Sequence, residues 1–353
     1  MAIILVYGSH FGPAFSAPPK IERLPFIVDG WSGVDLFFIL SGLLIGTQLW
    51  RELKSTGQIQ LGRFLLRRGA RIWPLYFSFV LAIVFLILFA HHRSTGIWAD
   101  LTFLSNYVTG QLNVGWSLST EEQFYIIAPL LLIVLSAIKI DIRGLWLLPI
   151  VIFLALPVSR FLPMREMLAV HGSIDHNVPY FPIHLHADGL VIGLLLAYGA
   201  VFRPQLLASS RFRIVAACIL TISGVVLYKL SHFLFNFTAL ALIFGSATLL
   251  GLAYKGTSWI VNWRGFYIIS RLSYGIYLNH CWVLDRFGRA FARGPFHSSQ
   301  LALWLCYFVG FAISSVIAAV TFQLIEWPFL NLRSRWQAST RSRPAPAPAS
   351  SAA

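Results

Sequence analysis

The sequence predicts an all-α membrane protein, a polytopic helical bundle of about ten transmembrane helices. Three observations predict it. Hydrophobic residues make up 57% of the 353 and charged residues 11%, against roughly 25% charged in soluble domains. Apolar runs close to the length that crosses a bilayer recur from end to end. The period-two alternation of an outer-membrane barrel is missing.

In order, the spans fall near residues 1–12, 31–50, 73–90, 117–138, 145–161, 185–201, 213–230, 236–253, 272–290 and 301–325. The first run is short: about 12 residues make about 18 Å of helix, against a hydrocarbon core of about 30 Å. The expectation is that Met1 is internal to a longer first span, or that this form is crippled. The second run carries a carboxylate, Asp35, and a hydroxyl, Ser41. An ionisable group there costs about 2.5 kcal/mol or more and by default marks a site. A basic cluster from Arg63 to Arg71 precedes the third run, and Trp116-Ser117-Leu118-Ser119-Thr120-Glu121-Glu122 opens the fourth. In the sixth, Asp188 is followed by Gly189 and Gly193, a small face suited to close helix packing. Tyr274, Tyr277 and His280 recur every third residue in the ninth as a polar stripe, and Glu326-Trp327-Pro328-Phe329 closes the tenth. Residues 334–353, rich in Ser, Ala, Pro and Arg, read as a disordered tail. Residues 1–333 then form one membrane domain, with no internal repeat and no cleavable signal peptide.

The net charge of +14 is explained by topology rather than by a nucleic-acid partner. With both termini cytoplasmic, the loops on that side hold 18 of the 27 basic residues, the bias that sets orientation. Cys218, Cys281 and Cys306 sit in separate apolar runs, at spacings of neither a disulfide framework nor a zinc motif. His184 and His186 are two apart and face away from each other, where helical metal ligands want i, i+4. No metal site is expected.

Chemistry is carried by a few side chains. Arg68 and Arg71, three apart, share a helix face. Two guanidiniums there clamp phosphate groups or anchor lipid headgroups. Glu121 and Tyr125, four apart, also share a face, while Glu122 points about 100° away and fits the membrane interface. His10 is either a structural residue of its apolar run or a general base near neutral pH. Asp35 and Glu121 fall in the outer halves of their spans, and either could orient its ring.

These strings resemble the integral-membrane acyltransferase 3 family, whose members move acyl groups onto sugars. The resemblance rests on Gly33–Gly42, Arg68-x-x-Arg71, Trp116-Ser117-Leu118-x-x-Glu121, Asp188–Gly193, Ser273–His280 and Glu326-x-Pro328, in the family's order. Trp327 stands where a basic residue is common, and the basic residue that precedes the family's histidine has no counterpart here. The resemblance implies His10 as the catalytic base, with Asp35 or Glu121 holding its imidazole, and Arg68 and Arg71 on the donor. Ser41, Trp116, Tyr125, Asp188, Tyr274 and His280 would line the substrate pocket. It further implies acyl-CoA, acetyl-CoA foremost, as donor substrate with no permanently bound cofactor. A carbohydrate or lipid-linked glycan would be the acceptor, and the bacterial inner membrane, with its lipids, the setting. Direct transfer and an acyl-histidine intermediate both stay open. Some family members carry a fused extracytoplasmic hydrolase-like domain, so this chain is expected to act alone or with a separate partner. The alternative is a transporter or flippase in which His10, Asp35, Glu121, Asp188 and His280 relay protons, a class that usually shows inverted repeats.

Overall fold

The computed structural model describes residues 2–15, 24, 27, 29–89, 96–141, 144–171, 180–252, 263–292 and 299–332; the tail expected at 334–353 lies outside them. Among the described residues every regular element is helical. They are α1 (Ala2–Phe15), α2 (Gly33–Thr56, entered through a 3₁₀ turn at Gly30–Ser32), α3 (Leu61–Phe89), α4 (Ile97–Leu101), α5 (Gly115–Ala137) and α6 (Leu147–His171). There follow α7 (Asp188–Phe202), α8 (Pro204–Ala208), α9 (Ser210–Leu230), α10 (His232–Gly251), α11 (Arg264–Ala292) and α12 (Gln300–Thr321), the last running on through a π-helical turn at Phe322–Glu326.

Seven helices are long and apolar enough to cross a membrane by length and composition: α2, α3, α5, α6, α9, α10 and α12 with its extension. Each of the ten expected runs falls on a helix, but three fall short of that standard. Helices α1 and α7 are apolar but shorter, and α11 carries Arg264, Arg271, Asp285, Arg286 and Arg289 along its length. The largest difference in boundaries is at α3. It begins at Leu61, not near residue 73, so Arg63, Arg67, Arg68 and Arg71 ride on the helix rather than in a loop. Arg63 and Arg71 are exposed, their stems lying along apolar surface while their heads reach away, whereas Arg68 is buried and turns its head onto α5. Helix α2 stops at Gly57, whose φ of 70° takes the left-handed conformation and whose N–H caps the carbonyl of Leu53 at 2.9 Å.

The tightest crossing joins α2 and α7, which run parallel. The small face Gly189/Gly193 meets its counterpart Gly42/Gly46. A Cβ added at Gly189 would lie 2.8 Å from the Asp35 carbonyl oxygen, and one at Gly193 2.6 Å from the backbone nitrogen of Leu43. Glycine at these positions lets backbone meet backbone, which is how membrane helices associate where no hydrophobic drive separates helix from lipid. Trp50 Nε1 donates to the Leu194 carbonyl (3.1 Å) and Lys54 Nζ to that of Val201 (2.8 Å), pinning the same pair further along.

Helix α1 is held on two sides. A Cβ at Gly33 would lie 2.7 Å from the Ala2 carbonyl oxygen, and one at Gly30 2.9 Å from the Ser9 nitrogen. The chain entering α2 therefore runs antiparallel to α1. On its other side Tyr7, Phe11 and Phe15 pack with Leu284 and Tyr307, and α1 runs parallel to α11, with His10 beside His280 and Ala14 beside Gly288.

Candidate active site

Four helices leave a cavity of about 260 Å³ between them. Helix α2 contributes Ser41, α3 contributes Arg68 and Arg71, α5 contributes Ser117, Glu121 and Tyr125, and α11 contributes Ser270, Ser273, Tyr274 and Tyr277. The i, i+3 and i, i+4 spacings read from the sequence bring each set to one wall. Tyr125 donates its hydroxyl to Glu121 Oε2 at 2.7 Å, which leaves its oxygen to accept from Ser41 Oγ at 2.8 Å. The Arg68 guanidinium lies over the Tyr125 ring, 5.7 Å from its centroid. Tyr274 donates to the Ile72 carbonyl (2.9 Å) and so ties α11 to α3 beside the arginines. Glu122 is buried, not interfacial as its position suggested. It accepts from Trp73 Nε1 at 3.2 Å, because a carboxylate that misses the cavity needs a donor of its own.

Along α11 the wall leads toward a second group. Tyr277 is hydrogen-bonded to Ser117, and one turn on lies His280, their ring centroids 5.7 Å apart. His280 Nδ1 faces the carbonyls of Tyr277 (2.7 Å) and Ile276 (3.2 Å), which only accept. That nitrogen therefore carries the ring proton, and Nε2 keeps its lone pair. Nε2 lies 3.3 Å from Nδ1 of His10. The Nδ1 of His10 also faces the Val6 carbonyl at 2.9 Å, so it too bears a proton, shared between Val6 and His280. The Nε2 of His10 is left as a base. His280 is fully buried and His10 exposed.

The structure does not bring Asp35 to His10. Because the chain entering α2 runs antiparallel to α1, Asp35 sits level with the start of α1, while His10 is about two turns farther along. Asp35 instead accepts from His186 Nε2 at 2.9 Å, with both side chains fully buried. His186 Nδ1 donates to the Tyr180 carbonyl at 2.7 Å, and its ring stacks on Phe237, centroids 3.8 Å apart, with Trp116 on a parallel plane at 6.0 Å. Outside the spans, burial pushes the Tyr180 phenol well above its usual range, and the Asp35 carboxylate adds to the effect. Glu121, the other carboxylate expected at His10, is engaged with Tyr125 in the cavity.

Asp188 is not in the cavity either. It is ion-paired with Arg160, both side chains fully buried, and accepts from Thr238 at 2.6 Å. Arg160 spends its other donors on the Leu185 carbonyl (2.6 Å), the Leu234 carbonyl (3.0 Å) and Thr238 (3.0 Å), joining α6, the turn before α7 and α10. A fully buried carboxylate requires such a partner. Of the six residues expected to line the pocket, Ser41, Tyr125 and Tyr274 do; Trp116, Asp188 and His280 do not. Arg160 was missed, although a lone arginine inside an apolar run carries the same signal that singled out Asp35.

Residues 1–323 match the protein family described as an acyltransferase domain. The chain belongs to that family. Among curated proteins it is similar to one named "Putative O-acetyltransferase SACOL0978" from Staphylococcus aureus (strain COL), 24% identical over 352 residues, covering 86% of this chain and 53% of the relative. It is also similar to the O-acetyltransferase OatA of Staphylococcus aureus (strain NCTC 8325 / PS 47), 24% identical over 332 residues, covering 85% of this chain and 52% of the relative. The chain thus spans about half the length of these curated relatives. No solved structure gave a significant match.

Proposed function

We propose that this member of the acyltransferase-domain family is a membrane O-acetyltransferase that moves an acetyl group from acetyl-CoA to a hydroxyl of a carbohydrate or lipid-linked glycan. The observation that carries the reading is the cavity itself. It joins a pair of arginines to a wall of α11 that ends one turn from a paired imidazole. From Ser270 to His280 that wall is about 15 Å long. Arg68 and Arg71 hold the phosphates of the donor by charge-assisted hydrogen bonds, and the acyl thioester extends along α11 toward the histidines. Ser41, Tyr125 and Glu121 supply a hydrogen-bonded lining whose one carboxylate offsets part of the arginines' charge.

In the transfer step the acceptor hydroxyl gives its proton to Nε2 of His10 as its oxygen bonds to the thioester carbonyl carbon. The carbon–sulfur bond then breaks, and the departing thiolate takes the proton back from the imidazolium. His280 is a positioning residue. By accepting from Nδ1 it fixes the tautomer that keeps Nε2 basic, the role a carboxylate plays in hydrolase triads. We read two short apolar helices and α11, with the seven long ones, as ten crossings. On that reading the excess of basic residues in alternate loops supports a bacterial inner-membrane orientation with both termini and the arginines cytoplasmic, on the donor's side, and His10 toward the outer face.

The test is direct. Purified protein in detergent, given isotope-labelled acetyl-CoA and a bacterial glycan, is expected to deposit labelled ester on the glycan, read by mass spectrometry. Labelled donor left intact, with no ester formed across a panel of surface glycans, overturns the reading.

A further inference from the structure

Cys281 takes no part in the transfer described above, yet its sulfur lies 3.4 Å from Nε2 of His280, the same lone pair that faces His10. One ligating atom from each of His10, His280 and Cys281 lies within 4.8 Å of the other two. We propose that these three side chains form a zinc site, and that zinc bound there switches off the base.

The spacing supports it. Tetrahedral zinc with bonds of about 2.0–2.1 Å to nitrogen and 2.3 Å to sulfur sets its ligands about 3.3 Å apart for a nitrogen pair and about 3.6 Å for nitrogen and sulfur. The observed separations are 3.3 Å between His280 Nε2 and His10 Nδ1 and 3.4 Å between His280 Nε2 and Cys281 Sγ. His280 is already oriented as a ligand, because its other nitrogen donates to the Tyr277 carbonyl, the outer-shell contact that fixes metal-binding imidazoles. Two imidazoles and a thiolate make a borderline-soft set that suits zinc and leaves a fourth position open. His10 is exposed and Cys281 half-buried, so the group lies at the surface of the helix packing rather than in its core.

The effect on catalysis rests on the acetyltransferase reading and follows from proton positions. Zinc at Nδ1 of His10 takes the place of the proton held between Val6 and His280. The neutral ring then carries its proton on Nε2, and the lone pair that would accept the acceptor's proton is gone. Cys281 releases its thiol proton to solvent as the zinc–sulfur bond forms.

Purified full-length chain in detergent would be titrated with Zn²⁺ against a chromophoric chelator. One zinc per chain is expected, with affinity lowered about tenfold or more in Cys281→Ser and in His280→Ala. Co²⁺ in the same site is expected to show sulfur-to-metal charge-transfer absorption that Cys281→Ser lacks. Zinc is expected to inhibit acetyl transfer by the unaltered chain and a chelator to restore it. Cys281→Ala is expected to keep basal transfer and to resist zinc. Equal zinc affinity in the unaltered chain and in Cys281→Ser, or inhibition that survives Cys281→Ala, overturns the site. A chain that binds zinc through Cys281 but transfers no acetyl group in metal-free buffer sinks the acetyltransferase reading and upholds the site.

Discussion

The rings of His10 and His280 meet edge to face, centroids 4.9 Å apart and planes inclined at 76°, with Nε2 of His280 3.3 Å from Nδ1 of His10. The two residues are 270 apart in the chain, and each is anchored to a backbone carbonyl of its own helix. The pair is therefore as rigid as the packing of α1 on α11, and its hydrogen bonds assign each ring a different part.

Removing either ring should separate those parts. His10→Ala is expected to lower kcat by about 100- to 10,000-fold, the usual worth of a general base. His280→Ala should cost about 100-fold in kcat, as misplacement of a catalytic group does, while KM for acetyl-CoA stays unchanged. His280→Gln, whose amide oxygen can accept from Nδ1 of His10, should recover part of the loss. Steady-state kinetics on the three variants checks this. An equal loss in His280→Ala and His280→Gln would leave only a packing role.

Arg68→Ala and Arg71→Ala are expected to act on binding. Loss of a charge-assisted phosphate contact costs about 1.5–3 kcal/mol, or about 10- to 150-fold in affinity for the donor. Arg68→Lys and Arg71→Lys keep the charge but lose the planar fork, and should fall between. Calorimetric titration with acetyl-CoA measures it. Unchanged affinity in the double alanine variant would make the arginines lipid-headgroup anchors.

Gly193→Val is expected to destabilise the protein by about 3 kcal/mol, the upper range for overpacking, since its Cβ would meet the backbone of α2 rather than a movable side chain. Gly62→Ala is the control. A Cβ there meets nothing within 4 Å, and alanine suits a helical position at least as well as glycine. Thermal unfolding in detergent should move down for the first and stay level or rise for the second.

Arg160→Met alone leaves the Asp188 carboxylate buried without its counter-charge, which typically costs about 3–5 kcal/mol. The double variant Arg160→Met with Asp188→Leu removes both charges and is expected to recover most of that loss. A double-mutant cycle of unfolding free energies reads the coupling. Additive losses would mean that the hydrogen bonds to Leu185, Leu234 and Thr238, not the ion pair, hold α6, α7 and α10 together.

Much of this was legible in the sequence because it is local. Apolar runs located the helices, the spacing of Glu121 and Tyr125 predicted their shared face, and Gly189 with Gly193 announced a close crossing. What stayed hidden depends on which helix lies against which. Periodicity places Asp35 on a face of its own helix but says nothing about His186, 151 residues away. Hydropathy likewise hides the start of α3, because a helix whose first turns are basic scores as a loop. Arg160 could have been found, since burial of its charge obliges a carboxylate partner somewhere.

The crossing of α2 on α7 has a consequence for how a substrate gets in. Where backbone rests on backbone there is no rotamer to turn and no slack to take up, so α2 is a fixed wall with Ser41 fastened to it. On the acetyltransferase reading, a donor is expected to enter from the opposite side. Among the described residues, α3 and α11 are linked beside the arginines by the hydrogen bond from Tyr274 to Ile72, a latch that rotation of the phenol O–H releases.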